Sequence, residues 1–359
     1  MSRDTQHLWA QLHTAGLVEG ELPARDEMSS TWYIKVLLAF SGWLAAVFLM
    51  VFLALGIEII LREASASLII GILMVAGAYG LLRIPRNEFV EHLALAISLA
   101  GQGWIAYSFF ELLDDNSSSI WWLIGIMQCV LAWVMPNFIH RVFSSFVAAL
   151  AFSVALIYAQ LPYLFSSVIL LGAAWLWLNE FKFPEHLQKI HALGYGLVLA
   201  LIVLKGTTLF DQELMIGHYR YNDQLPLVTP WMGEALTGLV VLFFIWQLLQ
   251  RYFTRLTQPA PLVILIGTCV LCLVSLEARG ITVGLMILLL GFANSNRVLM
   301  GLGIITLLFY ISTYYYLLDT SLLNKSLSLL VIGVVLLAWR WALLKIVPVT
   351  QASNPGEIL

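Results

Sequence analysis

Apolar residues occupy this chain in long blocks parted by short polar breaks, from about residue 33 to about residue 345. A helix that crosses a hydrocarbon core of roughly 30 Å needs about 20 such residues, fewer where the bilayer thins. The blocks fall at 33–60, 67–82, 90–110, 120–136, 141–159, 162–178, 189–209, 231–250, 260–276, 280–293, 297–318 and 321–343. They predict an all-α integral membrane protein of about twelve spans. Block 280–293 is short enough to read as a span or as a re-entrant segment.

Polar stretches bound this region. Residues 1–32 are mixed in charge and lack the apolar core and small-residue cleavage site of a secretory signal, so they are expected to stay attached. Leu8, Trp9, Leu12 and Leu17 recur there at helical spacing and predict a short amphipathic helix that ends near Gly16. The division is then 1–32, a cytoplasmic amphipathic segment; 33–345, the membrane domain; and 346–359, a polar tail. The one long connection, residues 210–230, mixes charge, aromatics and prolines; it reads as an ordinary solvated connection, and is the one loop large enough for a lid or a partner contact.

Charge orients the blocks. Lys and Arg accumulate on the cytoplasmic side of membrane proteins. With the N-terminus inside, thirteen of the 18 basic residues fall in inner segments and five (Arg62, Lys205, Arg220, Arg279, Lys325) in outer ones. Both termini are therefore predicted to be cytoplasmic. Composition agrees with the membrane class, at 61% hydrophobic and 11% charged residues, and a net charge of -3 offers nucleic acid no basic surface.

Catalytic signatures are missing from the sequence. It has no HExxH, P-loop, GxSxG or dinucleotide-binding glycine pattern, and no cofactor or metal is expected. The seven histidines are read as surface or interfacial. Cys269 and Cys272 form CxxC inside the apolar run LIGTCVLCLVSL and are read as packing thiols. Trp and Tyr at block ends (Trp32, Tyr33, Trp121, Trp122, Trp231, Trp339, Trp341) fit an interfacial belt, and Gly77 with Gly80, Gly101 with Gly103 and Gly280 with Gly284 fit close helix approach.

Charges at block edges carry the candidate site, because an ion in hydrocarbon costs at least about 2.5–3.5 kcal/mol unless paired or hydrated. On this topology they gather outside: Glu58 and Arg62 close the first block, Glu234 opens the eighth, Glu277 and Arg279 lie between the ninth and tenth, and Asp319 and Lys325 flank the last outer turn. Gln102 is read as the one strongly polar uncharged side chain deep in an otherwise apolar block, and it can line the same space. Lys325 is expected to snorkel outward or to pair with Asp319, Glu277 or Glu58.

The stretches WYIKVLLAFSGWLAAVFLMVFL (32–53), FVEHLALAISLAGQGWIAY (89–107) and residues 291–341, with their pattern YYYxLDxSLLxKS, resemble a bacterial multi-pass inner-membrane family, domain-of-unknown-function family 4401, related to family 2157. The resemblance implies a small membrane-anchored partner that carries a GDYxxLxY motif. Three functions follow as expectations. The first is a non-enzymatic subunit that docks such a partner through its outer face and helix grooves, with membrane lipid around it. The second is a transporter or flippase with an outward-facing charged cavity. The third is a membrane enzyme acting on lipid-linked substrate, for which only Glu111, Asp114 and Asp115 offer acids.

Overall fold

The structure is a computed structural model. It describes residues 63–84, 88–113, 118–210, 228–252, 259–276 and 280–317 continuously, with scattered positions in 9–16, 37–52 and 321–341. Among the described residues there are helices and no strands. They are α1 (Ala64–Arg83), α2 (Glu88–Leu112), α3 (Ser118–Val134), α4 (Phe138–Tyr158), α5 (Leu164–Leu178), α6 (Leu187–Phe210), α7 (Pro230–Tyr252), α8 (Pro259–Val274), α9 (Ile281–Ala293) and α10 (Arg297–Leu317). Two single-turn 3-10 helices, Glu180–Lys182 and Pro184–His186, join α5 to α6. Each of the ten middle apolar blocks has become one helix. Five of them, α1, α2, α4, α6 and α7, are long and apolar enough to cross a membrane. The contested block 280–293 is helix α9, 13 residues and about 20 Å long.

The chain divides into two compact units, Met1–Trp104 and Ile105–Leu359, with the boundary inside α2. In the first, Gly101 of α2 meets α1 closely, since a Cβ there would stand 2.8 Å from the Gly71 carbonyl oxygen. Among the described residues Gly77 and Gly80 meet nothing within 4 Å. Near the N-terminus, Trp9, Gln11, His13 and Thr14 are helical, and Gly16 takes the left-handed φ of 68°.

In the second unit, buried Leu170, Trp177, Leu201, Phe244, Met286 and Leu290 make one core shared by α5, α6, α7 and α9. Small residues set its spacing. A Cβ on Gly196 would lie 2.5 Å from the Val142 carbonyl oxygen, on Gly303 2.5 Å from the Leu288 nitrogen, and on Gly291 2.5 Å from the Met300 nitrogen, so α4 with α6 and α9 with α10 pack backbone against backbone. Two tight connections reverse the chain by the same device. Gln160 and Ser295 take left-handed φ, of 62° and 52°, and the next amide closes a wide turn onto the preceding helix, Leu161 N–H to Leu156 O at 2.8 Å and Asn296 N–H to Gly291 O at 2.8 Å.

Candidate functional site

At one end of the second unit α4 and α6 finish while α5 and α7 begin. Pro230 opens α7, where its missing N–H costs no hydrogen bond. Gly233 follows within the first turn, and a Cβ on it would stand 2.5 Å from Tyr163 Cβ, so α7 starts pressed onto the entry to α5. Thr237 Oγ1 holds the contact one turn later, 3.4 Å from Ser167 Oγ on α5. Beside this contact lies a cavity of about 30 Å³, lined by Ser153, Tyr163, Ser166, Leu204, Lys205 and Glu234 among others. That is room for about two waters.

Lys205 and Glu234 form an ion pair in its wall. Lys205 Nζ donates to Glu234 Oε1 at 2.6 Å, and both side chains are only 4% exposed. Glu234 Oε2 is buried too, and among the described residues it accepts no hydrogen bond. Four hydroxyls of this region are committed elsewhere. Ser153 donates to Leu150 O at 2.7 Å, Ser166 to Tyr163 O at 3.3 Å, Thr237 to Gly233 O at 2.8 Å, and Tyr310, fully buried on α10, to Ile202 O at 2.9 Å. The arrangement is a zwitterionic wall with one acceptor left open. It can take a hydrogen-bond donor from outside.

The opposite end of the same helices holds a second polar cluster. His191 Nε2 meets Glu180 Oε2 at 2.8 Å, and its ring stacks on Trp177, with centroids 5.2 Å apart. Tyr195 packs edge-on to Trp177 and exchanges hydrogen bonds with Asn296, whose side-chain oxygen caps the amides of Val298 and Leu299 at 3.1 Å. The chain of contacts ties the end of α5 and the start of α6 to the start of α10.

Two of the eight residues singled out in the sequence are described. Gln102 is buried in the first unit, where Nε2 donates to Ser98 Oγ at 3.1 Å one turn away. Glu234 is buried in the second, paired with Lys205. Glu58, Arg62, Glu277, Arg279, Asp319 and Lys325 lie outside the described residues, as do Asp114, Asp115 and residues 211–227 of the long connection. Glu111 is exposed and accepts a hydrogen bond from Tyr107.

Sequence reasoning missed Lys205 as a site residue, counting it only as an outer boundary charge. The available signal was a lysine five residues inside the end of a long apolar run. Two other readings need correction. His140 is not a surface residue: it is 1% exposed, its amide is bonded to Asn137 Oδ1 at 2.9 Å and its Nδ1 lies 3.2 Å from Ser144 Oγ. Gln102 also has a counterpart, Gln128 of α3, at 3% exposure. The cysteines are free, with Cys272 Cβ at 3.2 Å from where a Cβ on Gly238 would sit, a packing contact. Among the described residues no three His, Cys, Asp or Glu side chains gather as metal ligands.

A sequence profile for a domain of unknown function, DUF4401, matches residues 31–346. The chain belongs to the DUF4401 family. The matched span takes in α1 to α10 and with them both polar clusters, so the Lys205–Glu234 cavity is part of the DUF4401 domain itself. Neither a curated protein nor a solved structure matches this DUF4401 chain.

Proposed function

We propose that this DUF4401 protein is a non-enzymatic subunit of the bacterial inner membrane, with about twelve spans and both termini in the cytoplasm, that docks a small membrane-anchored partner on its outer face. On that topology the ends of α4 and α6 and the starts of α5 and α7 face outward, and so does the Lys205–Glu234 cavity. One observation carries the reading: Glu234 Oε2, buried and without a donor among the described residues, belongs to a residue that lines a cavity of about 30 Å³. A buried acceptor left unmatched is costly, by about 1–3 kcal/mol and more when it is charged. A donor arriving from outside removes that cost. The space fits the tip of one side chain and is far too small for the passage of a solute, which favours docking over transport.

The partner is of the small GDYxxLxY type that the family resemblance implies, bringing a hydroxyl, amide or cationic donor to Glu234. Copurification from native membranes in mild detergent tests this. A small single-span protein should accompany the wild type in near-stoichiometric amount and be depleted with Glu234→Met. No such protein at native expression, or equal recovery with the variant, counts against docking.

Transport by a carrier or flippase is the second reading, and one observation favours it. A lysine and a glutamate buried inside apolar helices are costly to keep and mark ion or substrate paths in membrane carriers. Uptake or lipid-flipping activity of the purified chain in liposomes, lost with Lys205→Met, would make this reading the better one.

A further inference from the structure

Arg141 lies in the first turn of α4, at the end of the second unit opposite the Lys205–Glu234 cavity. It is 8% exposed, and among the described residues its buried Nε has no hydrogen-bond partner and its guanidinium no ion pair. Other cations at that end are placed differently: Lys182, Arg251 and Arg297 are exposed, Arg251 also donates to Leu178 O at 3.3 Å, and Lys189 Nζ sits 4.9 Å over the Trp133 ring. The backbone adds to the imbalance. The first turn of α4 holds no acidic residue, so the positive end of the helix dipole and a buried guanidinium share one place without a counter-charge. Trp133, 56% exposed at the end of α3, stacks on His186 with centroids 6.2 Å apart and brings the Lys189 ammonium to the same end of the hairpin that Met135, Pro136 and Asn137 close.

We propose that Arg141 is the core of a phosphate-binding site. A guanidinium presents paired N–H donors that match two oxygens of a phosphate, and the positive end of a helix dipole favours an anion. The phosphate belongs either to the headgroup of an anionic phospholipid or to a soluble phosphate compound. Burial explains why an arginine serves here. A lysine would keep the charge and lose the fork.

The test uses the full chain in mild detergent, followed by thermal unfolding. One arm adds phosphatidylglycerol against phosphatidylcholine. The other adds inorganic phosphate or ADP against chloride at equal ionic strength. A wild-type midpoint that rises with phosphatidylglycerol alone identifies a lipid headgroup, and one that rises with phosphate or ADP identifies a soluble ligand. In either case Arg141→Lys should raise the half-saturating concentration roughly tenfold or more. Arg141→Gln should abolish the shift, and Lys182→Gln, an exposed cation at the same end, should leave it. No shift of the wild type in either arm overturns the proposal. So do equal shifts for wild type and Arg141→Lys, a comparison that stands even if Arg141→Gln does not fold.

Discussion

Replacing Lys205 by Met removes the donor that Glu234 has among the described residues and leaves a carboxylate, 4% exposed, with neither oxygen matched there. At 2.6 Å and an effective dielectric of about 20, the two charges attract by about 6 kcal/mol. Desolvating each ion costs several kcal/mol, so the intact pair is near balance in net terms and adds little to stability. Breaking it is different, because the cost of burying Glu234 persists while the attraction is gone. Lys205→Met should therefore destabilise by about 3–5 kcal/mol. Lys205→Met with Glu234→Met removes both burdens and fills similar volume, so it should return to within about 2 kcal/mol of wild type or exceed it. Thermal midpoints of the four proteins, purified in one detergent, give the coupling directly. Additive losses, or a single Lys205→Met variant as stable as wild type, would refute a buried, mutually dependent pair.

Other expectations follow from the packing and the proposed topology. Gly303→Ala places a methyl group 2.5 Å from the Leu288 nitrogen and should cost about 1–3 kcal/mol, read as a lower midpoint, whereas Gly80→Ala meets nothing within 4 Å among the described residues and should be neutral or gain up to about 1 kcal/mol from helix propensity. Glu180→Ala removes the acid from a stacked His191 and opens space at the end of α5, so it should lower the midpoint by about 1–3 kcal/mol equivalent, while exposed Glu185→Ala should change it by less than about 0.5 kcal/mol. Reporter fusions after residues 115 and 225 should be extracytoplasmic and those after 185, 255 and 350 cytoplasmic; a cytoplasmic signal at 225 would sink the twelve-span topology.

The helices were legible because each is a run of apolar residues, and the short breaks at Met135–Asn137 and Asn294–Asn296 fall where the pattern stops. Which side faces which was not legible, for a physical reason. The blocks are apolar all round, as helices in lipid are, so their periodicity carries no direction to the interior. Gly77–Gly80 and Gly284 read alike in sequence, yet among the described residues Gly284 has a close neighbour, with a Cβ there 2.9 Å from Leu307, and Gly77 and Gly80 have none. The pairings at both polar clusters join positions far apart along the chain, Lys205 with Glu234 and Tyr195 with Asn296. Charge at block edges did point to Glu234, since an acid just inside an apolar run is expensive wherever it sits. Its partner was hidden because a lysine near a helix end has an inexpensive alternative in snorkelling, and composition cannot distinguish the two.

Docking at the Glu234 cavity is tested most directly by a photo-crosslinking residue at position 166, which lines that cavity, in the chain expressed at native level in intact cells. The account predicts one dominant adduct with a small single-span membrane protein, lost when Glu234→Met is added. Adducts with lipid alone, or a protein adduct that Glu234→Met leaves unchanged, would contradict it.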